Sequence, residues 1–164
     1  NYNFNKMWQN IINTNHNIQL KKIIISKLIS LKENDLTKRI LIPLLESIGY
    51  DNIEFFGGPY EVGKDIICWK RNDWGIIELT VAQVKKYKTV SSSSNSKGFT
   101  HIITQLQQAI DEKVPFVDGN EYKPSKVYFI TPYQVNTRAL LTRFEKFREL
   151  SNILQILDEH SVFF

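Results

Sequence analysis

The chain has 164 residues, 42% of them hydrophobic and 23% charged, with a formal net charge of +4 and one cysteine. That length accommodates one domain, which buries roughly 70% of the surface of its unfolded chain, so folding needs neither a disulfide framework nor a metal staple. One Cys and three scattered His (His16, His101, His160) exclude a structural zinc site of the Cys/His type, and the apolar runs at 21–31 and 38–48 are broken by Lys, Ser, Pro and Glu before the ~18 apolar residues of a membrane-spanning helix.

No secretory pattern opens the sequence, and the lone Cys68 points to a reducing, cytoplasmic compartment. The excess of cations tolerates a polyanionic partner. A chain that starts on Asn and stops in SVFF reads as the ordered part, or an excised domain, of something longer.

Residues 1–34, Asn-rich and then apolar, are expected to form one or two helices packed on a main domain at 35–164. A helix follows: Asn34 or Asp35 can accept bonds at its start, Leu36, Ile40, Leu44 and Ile48 recur at every fourth position, and Gly49 stops it. Pro43 predicts a kink inside it. NIEFF (52–56) reads as a short strand, and Gly57, Gly58 and Pro59 turn the chain. KDIICWK (64–70) and GIIELTVAQVKKYK (75–88) read as an antiparallel hairpin across the polar turn RNDWG.

The Ser-rich TVSSSSNSKG (89–98) is expected to be a surface loop. THIITQLQQAIDEK (100–113) reads as a helix with Ile102, Ile103, Leu106 and Ile110 on one side, and 114–125 as a loop. KVYFITP (126–132) is a buried strand by its apolar run. QVNTRALLTRFEKFREL (134–150) is a helix with Leu140, Leu141, Phe144 and Phe147 inward and its arginines outward, and NILQILDEH (152–160) is a last strand. The order helix, three strands, helix, strand predicts an α/β sandwich with a central mixed β-sheet flanked by helices, plus the N-terminal helical segment.

The hairpin carries the chemistry. Gln83 and Lys85 share one face of their strand, and Asp65 starts the strand beside it, so a carboxylate, an amide oxygen and an ammonium can gather at one end of a buried sheet. A hard divalent cation such as Mg²⁺ suits Asp65, the Gln83 side-chain oxygen and a backbone carbonyl, with waters completing its shell. Lys85 is then placed to orient or deprotonate an attacking water and to steady charge on a phosphate. The alternative is that Asp65 caps the Gly-rich turn and that Lys85, Lys86 and Lys88 are a solvated strand end.

GPYEVGKDII (58–67) followed by AQVKK (82–86) resembles the PD-(D/E)XK nuclease superfamily, specifically its Mrr-like restriction endonuclease group with Q-x-K in place of the last acid. The resemblance covers the chain from about Leu36 onward. It implies a restriction-endonuclease-like αβββαβ core, with Asp65 as the metal-binding aspartate, Gln83 at the second ligand position and Lys85 as the catalytic lysine. Glu61 falls where such sequences have a further acid, a site-lining residue or second metal ligand. Gln105 to Gln108 resemble a helix bordering the site.

Many relatives place a ligating Glu on the first helix, and Glu33 and Glu46 compete for that role. Double-stranded DNA, Mg²⁺ with Mn²⁺ able to substitute, self-association, and a fused or partnering sensor or NTPase module in restriction or anti-phage defence are what the resemblance implies. The rival expectation is a catalytically inactive nucleic-acid-binding or oligomerisation module on the same fold. RNA is not separated from DNA by any residue. Trp69 and Trp74 either stack on bases or pack, and Arg138, Arg143 and Arg148 either contact phosphates or form a solvated face.

Overall fold

Residues 66–69 and 79–84 are buried without interruption, and strands covered on both faces belong in the middle of a sheet with a layer on each side. The computed structural model describes residues 17–56, 64–86, 96–135, 137–138 and 150–159. In chain order its elements are α1 (Asn17–Ser30), α2 (Glu33–Leu36), a π-helical turn (Thr37–Leu41), α3 (Ile42–Ser47), β1 (Asp51–Phe55), β2 (Ile66–Arg71), β3 (Ile77–Val84), α4 (Ser96–Asp111), β4 (Val114–Pro115), β5 (Glu121–Tyr122), β6 (Lys126–Ile130), a 3₁₀ turn (Leu150–Asn152) and β7 (Leu154–Leu157).

Five strands form one mixed sheet in the order β1-β2-β3-β6-β7. β1, β2 and β3 pair antiparallel, whereas β3, β6 and β7 pair in parallel. Parallel neighbours require a crossover, and α4 lies on the one between β3 and β6. One face of the sheet, through Ile66, Cys68, Ala82, Val84 and Ile130, packs on Leu28 of α1, Leu36, Leu41 and Leu45. The other face, through Ile67, Leu79, Val81, Val127 and Phe129, packs on Ile102, Ile103, Leu106, Ala109 and Ile110 of α4. The result is an α/β structure in three layers, with α1 sharing the core of the domain it precedes.

The first predicted helix differs from expectation in register. It begins at Glu33 with Lys32 as its cap, and neither Asn34 nor Asp35 caps it. The buried positions are Leu36, Thr37, Leu41 and Leu45, not the four-residue series, and Ile48 is exposed. The cause is the π turn, whose extra residue slides the buried face on by one. Pro43 follows it at the start of α3, where its missing N–H and its ring disfavour a regular turn. At the end, Gly49 takes φ +90° and Tyr50 N–H reaches back to Leu45 O (3.1 Å), closing the helix as a Schellman motif.

Two more boundaries shift. α4 starts at Ser96, inside the stretch expected to be a loop. Within 114–125, β4 and β5 form a small antiparallel pair, fixed because Phe116 and Tyr122 stack on Trp69 (ring centroids 4.4 and 5.6 Å apart). Most of the helix expected at 134–150 lies outside the described residues, as does the stretch 1–16. Among the described residues no helix is long and apolar enough to cross a membrane.

Cys68 sits in the α1-facing core with its thiol against Thr80 O (3.6 Å), and burial pushes its pKa from 9.0 up to about 12. The folded state therefore resists the thiolate that the unfolded chain forms more readily. Its contribution to stability is fully present below pH 9 and is lost as pH rises toward about 12. We expect native Cys68 to resist iodoacetamide at pH 8 and to react once the chain is unfolded. A Cys68→Ala variant should show a shallower loss of stability between pH 9 and 11, by up to about 1.4 kcal/mol per pH unit.

Candidate active site at the end of strand β3

From Arg71↔Ile77 to Ile66↔Ala82 the β2–β3 ladder is regular. One residue further it slips: Asp65 N–H donates to Ala82 O (2.9 Å) instead of facing Gln83. Val84 N–H, left without a backbone partner on that side, donates to the Asp65 carboxylate Oδ2 at 2.5 Å. Asp65 O in turn accepts Phe56 N–H from the end of β1 (2.9 Å). Backbone and side chain together pin Asp65, which is only 5% exposed. A charge-assisted bond of this kind is about twice as strong as a neutral one.

Gln83 is 1% exposed, on the α4 face of β3. Its Nε2 donates to Gln105 Oε1 of α4 at 2.7 Å, while its Oε1 is buried with no hydrogen-bond partner among the described residues. An orphaned buried acceptor costs about 1–3 kcal/mol. The atom is also of the kind a hard cation takes: a carbonyl-type oxygen, preorganised, next in sequence to the residue that binds the Asp65 carboxylate. Carboxylate and amide oxygens such as those of Asp65 and Gln83 are of the ligand type that Mg²⁺ takes.

Lys85 leaves the sheet at this point, its N–H bonded to Ile130 O of β6 (2.9 Å). Its ammonium lies 3.8 Å from Glu33 Oε1, and Glu33 Oε2 accepts Lys86 N–H at 3.0 Å. Glu33 thus grips both residues that follow β3. Lys86 Nζ donates to Leu31 O, tying the end of α1 to the same place. Of the two glutamates weighed for the first helix, Glu33 is the one brought here.

Glu46 is not. It is exposed near the end of α3, and the carbonyl of Ile48 just beyond it accepts Lys70 Nζ (3.3 Å), at the opposite end of β2 from Asp65. The expectation that Glu46 could line the site does not hold on that ground: sequence spacing carries no sign of which end of the sheet the helix start reaches. Glu61 lies outside the described residues. Glu78 accepts Asn72 Nδ2 at the far turn, His101 is exposed on α4, Trp69 is core, and Trp74 is 88% exposed.

Among the described residues two buried charged residues were not singled out from the sequence. Lys64, beside Asp65, is buried with its ammonium 2.7 Å from Glu112 Oε2, which holds the end of α4 against the start of β2. Asp158, just past β7, is buried and accepts Val135 N–H at 3.0 Å, shaping the loop after β6. An acid ending an apolar strand was the signal for Asp158. For Lys64, whose partner is 48 residues away, there was none. Among the described residues no three of His, Cys, Asp and Glu stand together; at this end of the sheet Asp65 accepts from Val84, Gln83 is bonded to Gln105 of α4, and Lys85 lies beside Glu33 of α2.

Replacing Asp65 by Ala removes the acceptor of a buried N–H, and should lower the unfolding free energy by about 1–3 kcal/mol in urea titrations. Gln83→Met should behave differently: losing the orphaned oxygen offsets losing the Gln105 bond, so stability should stay within about 1 kcal/mol of the parent.

Compared with protein-family models, with curated proteins and with solved structures, the chain matches none, so the geometry at the end of β3 is what bears on function.

Proposed function

We propose that the chain is a Mg²⁺-dependent endonuclease domain that hydrolyses phosphodiester bonds in double-stranded DNA, built on a restriction-endonuclease-like fold of the Mrr-like PD-(D/E)XK kind. The observation that supports the proposal is that Asp65, Gln83 and Lys85 fall at the same end of the β2–β3 pair, with Gln83 Oε1 buried and without a hydrogen-bond partner among the described residues.

Asp65 and Gln83 would hold the cation, which when bound would supply positive charge against the scissile phosphate. The Asp65 carboxylate is held by Val84 N–H. Lys85, whose ammonium lies beside Glu33, would orient the water and steady charge gathering on phosphate oxygens. The water oxygen bonds to phosphorus as the ester P–O bond breaks, and the leaving oxygen takes up a proton. Mn²⁺ substitutes for Mg²⁺ in such an oxygen site.

Cutting both strands of a duplex requires two such sites, which self-association supplies. Targeting comes from a fused or partnering sensor or NTPase module, in a cytoplasmic restriction or anti-phage defence system. The competing reading, a non-catalytic binding module, is favoured by one observation: the Asp65 carboxylate and the Gln83 amide each already serve the fold, as acceptor for Val84 and donor to Gln105.

The test is plasmid and linear DNA incubated with the protein in Mg²⁺, Mn²⁺ or EDTA, beside Asp65→Ala and Lys85→Ala. Cleavage should need the metal and fall at least about 100-fold in both variants. Cleavage that persists in both would sink the site assignment. Mg²⁺ should raise the melting temperature of the parent but not of Gln83→Met; at 100 times its Kd the gain is about 2.7 kcal/mol. No metal response in either activity or melting would favour the binding module.

A further inference from the structure

Among the described residues, the helical segments packed on the two faces of the sheet differ in charge. Residues 17–47, on one side, carry six Lys/Arg against three Asp/Glu; residues 96–112, on the other, carry one Lys against two. Near the site the difference is sharper. Lys64, the cation beside Asp65, is buried and neutralised by Glu112 of the α4 side. On the opposite side Lys32, Lys38 and Arg39 are all exposed.

Two of these are placed at the site end of the sheet by contacts of their own or of their neighbours. Lys38 Nζ sits 4.7 Å from the centre of the Phe55 ring, and Phe55 pairs with Ile66, the residue after Asp65. Lys32 directly precedes Glu33, whose carboxylate grips Lys85 and Lys86. The π turn is what presents Lys38 and Arg39 outward together while Thr37 and Leu41 stay buried. Lys32 and Lys38 thus border the same edge as Asp65 and Lys85, with Arg39 exposed beside Lys38, whereas the exposed side of α4 offers His101, Thr104, Gln108 and Asp111.

We propose that duplex DNA lies across the layer formed by α2 and the π turn, with its phosphates on Lys32, Lys38 and Arg39, and reaches Asp65 and Lys85 from that side rather than over α4. The inference rests on the nuclease reading for the identity of the polyanion. It rests on the placement of the cations for the direction of approach. Phosphate contacts of this kind position the duplex without reading its sequence.

The experiment is fluorescence anisotropy of a labelled 20-base-pair duplex in EDTA, at several salt concentrations, with the parent, a Lys32→Ala/Lys38→Ala/Arg39→Ala triple variant and a Lys113→Ala/Lys126→Ala control. The triple variant should bind at least about 10-fold more weakly. Its slope of log affinity against log salt should be shallower by about 2–3, near 0.9 per lost phosphate contact. The control should match the parent, and circular dichroism melting should show all three folded alike.

Equal binding by triple variant and parent, an equal loss in the control, or no binding by the parent would each overturn the proposal. Hydrolysis of bis(p-nitrophenyl) phosphate separates it from the nuclease reading. If the triple variant loses duplex binding while the parent shows no metal-dependent hydrolysis, the surface stands and the nuclease reading falls. If it binds as the parent does and both hydrolyse the small ester, the reverse holds.

Discussion

The hydrogen bond from Val84 N–H to the Asp65 carboxylate is the interaction on which the candidate site depends. Beyond Ile66 and Ala82 the two central strands no longer share a regular ladder, and a buried N–H left there would destabilise the sheet end. A carboxylate resolves the problem, and in doing so fixes a negative charge where β2 enters and β3 leaves the sheet. The next residues inherit that geometry. Gln83 is held beneath α4, and Lys85 and Lys86 turn toward Glu33.

Structural and chemical roles are therefore superimposed on the same atoms. This bears on how variants should be read, because a change at Asp65 alters the sheet end as well as any ligand site. Gln83 divides the roles more cleanly. Its amide nitrogen ties α4 to the sheet, and its oxygen does nothing for the fold among the described residues. A buried polar atom that the fold leaves unsatisfied calls for a partner such as a water or an ion.

The central strands were legible because burial on both faces leaves an unbroken apolar run, and the antiparallel hairpin because RNDWG separates two such runs. The placement of Asp65 against the end of β3 followed from the hairpin alone. What could not be read depended on distant chain. The π turn shifts the helix by one residue in response to Pro43 and to the sheet beneath it, which a four-residue period cannot express. The β4–β5 pair exists because Trp69, far away in sequence, offers a ring to Phe116 and Tyr122. The choice between Glu33 and Glu46 turned on which end of the sheet meets the helix start, a question of topology and not of spacing.

The amide at position 83 has a consequence for acid tolerance. A carboxylate in that buried place would gain a proton as the medium acidifies, and its hold on Gln105 would change with it. An amide has no proton to gain or lose over the biological range. The seat of α4 on β3 is thereby decoupled from pH, leaving the helix as a fixed wall beside a charged rim whose other members, Glu33 and Lys85, remain free to respond to what arrives from solution.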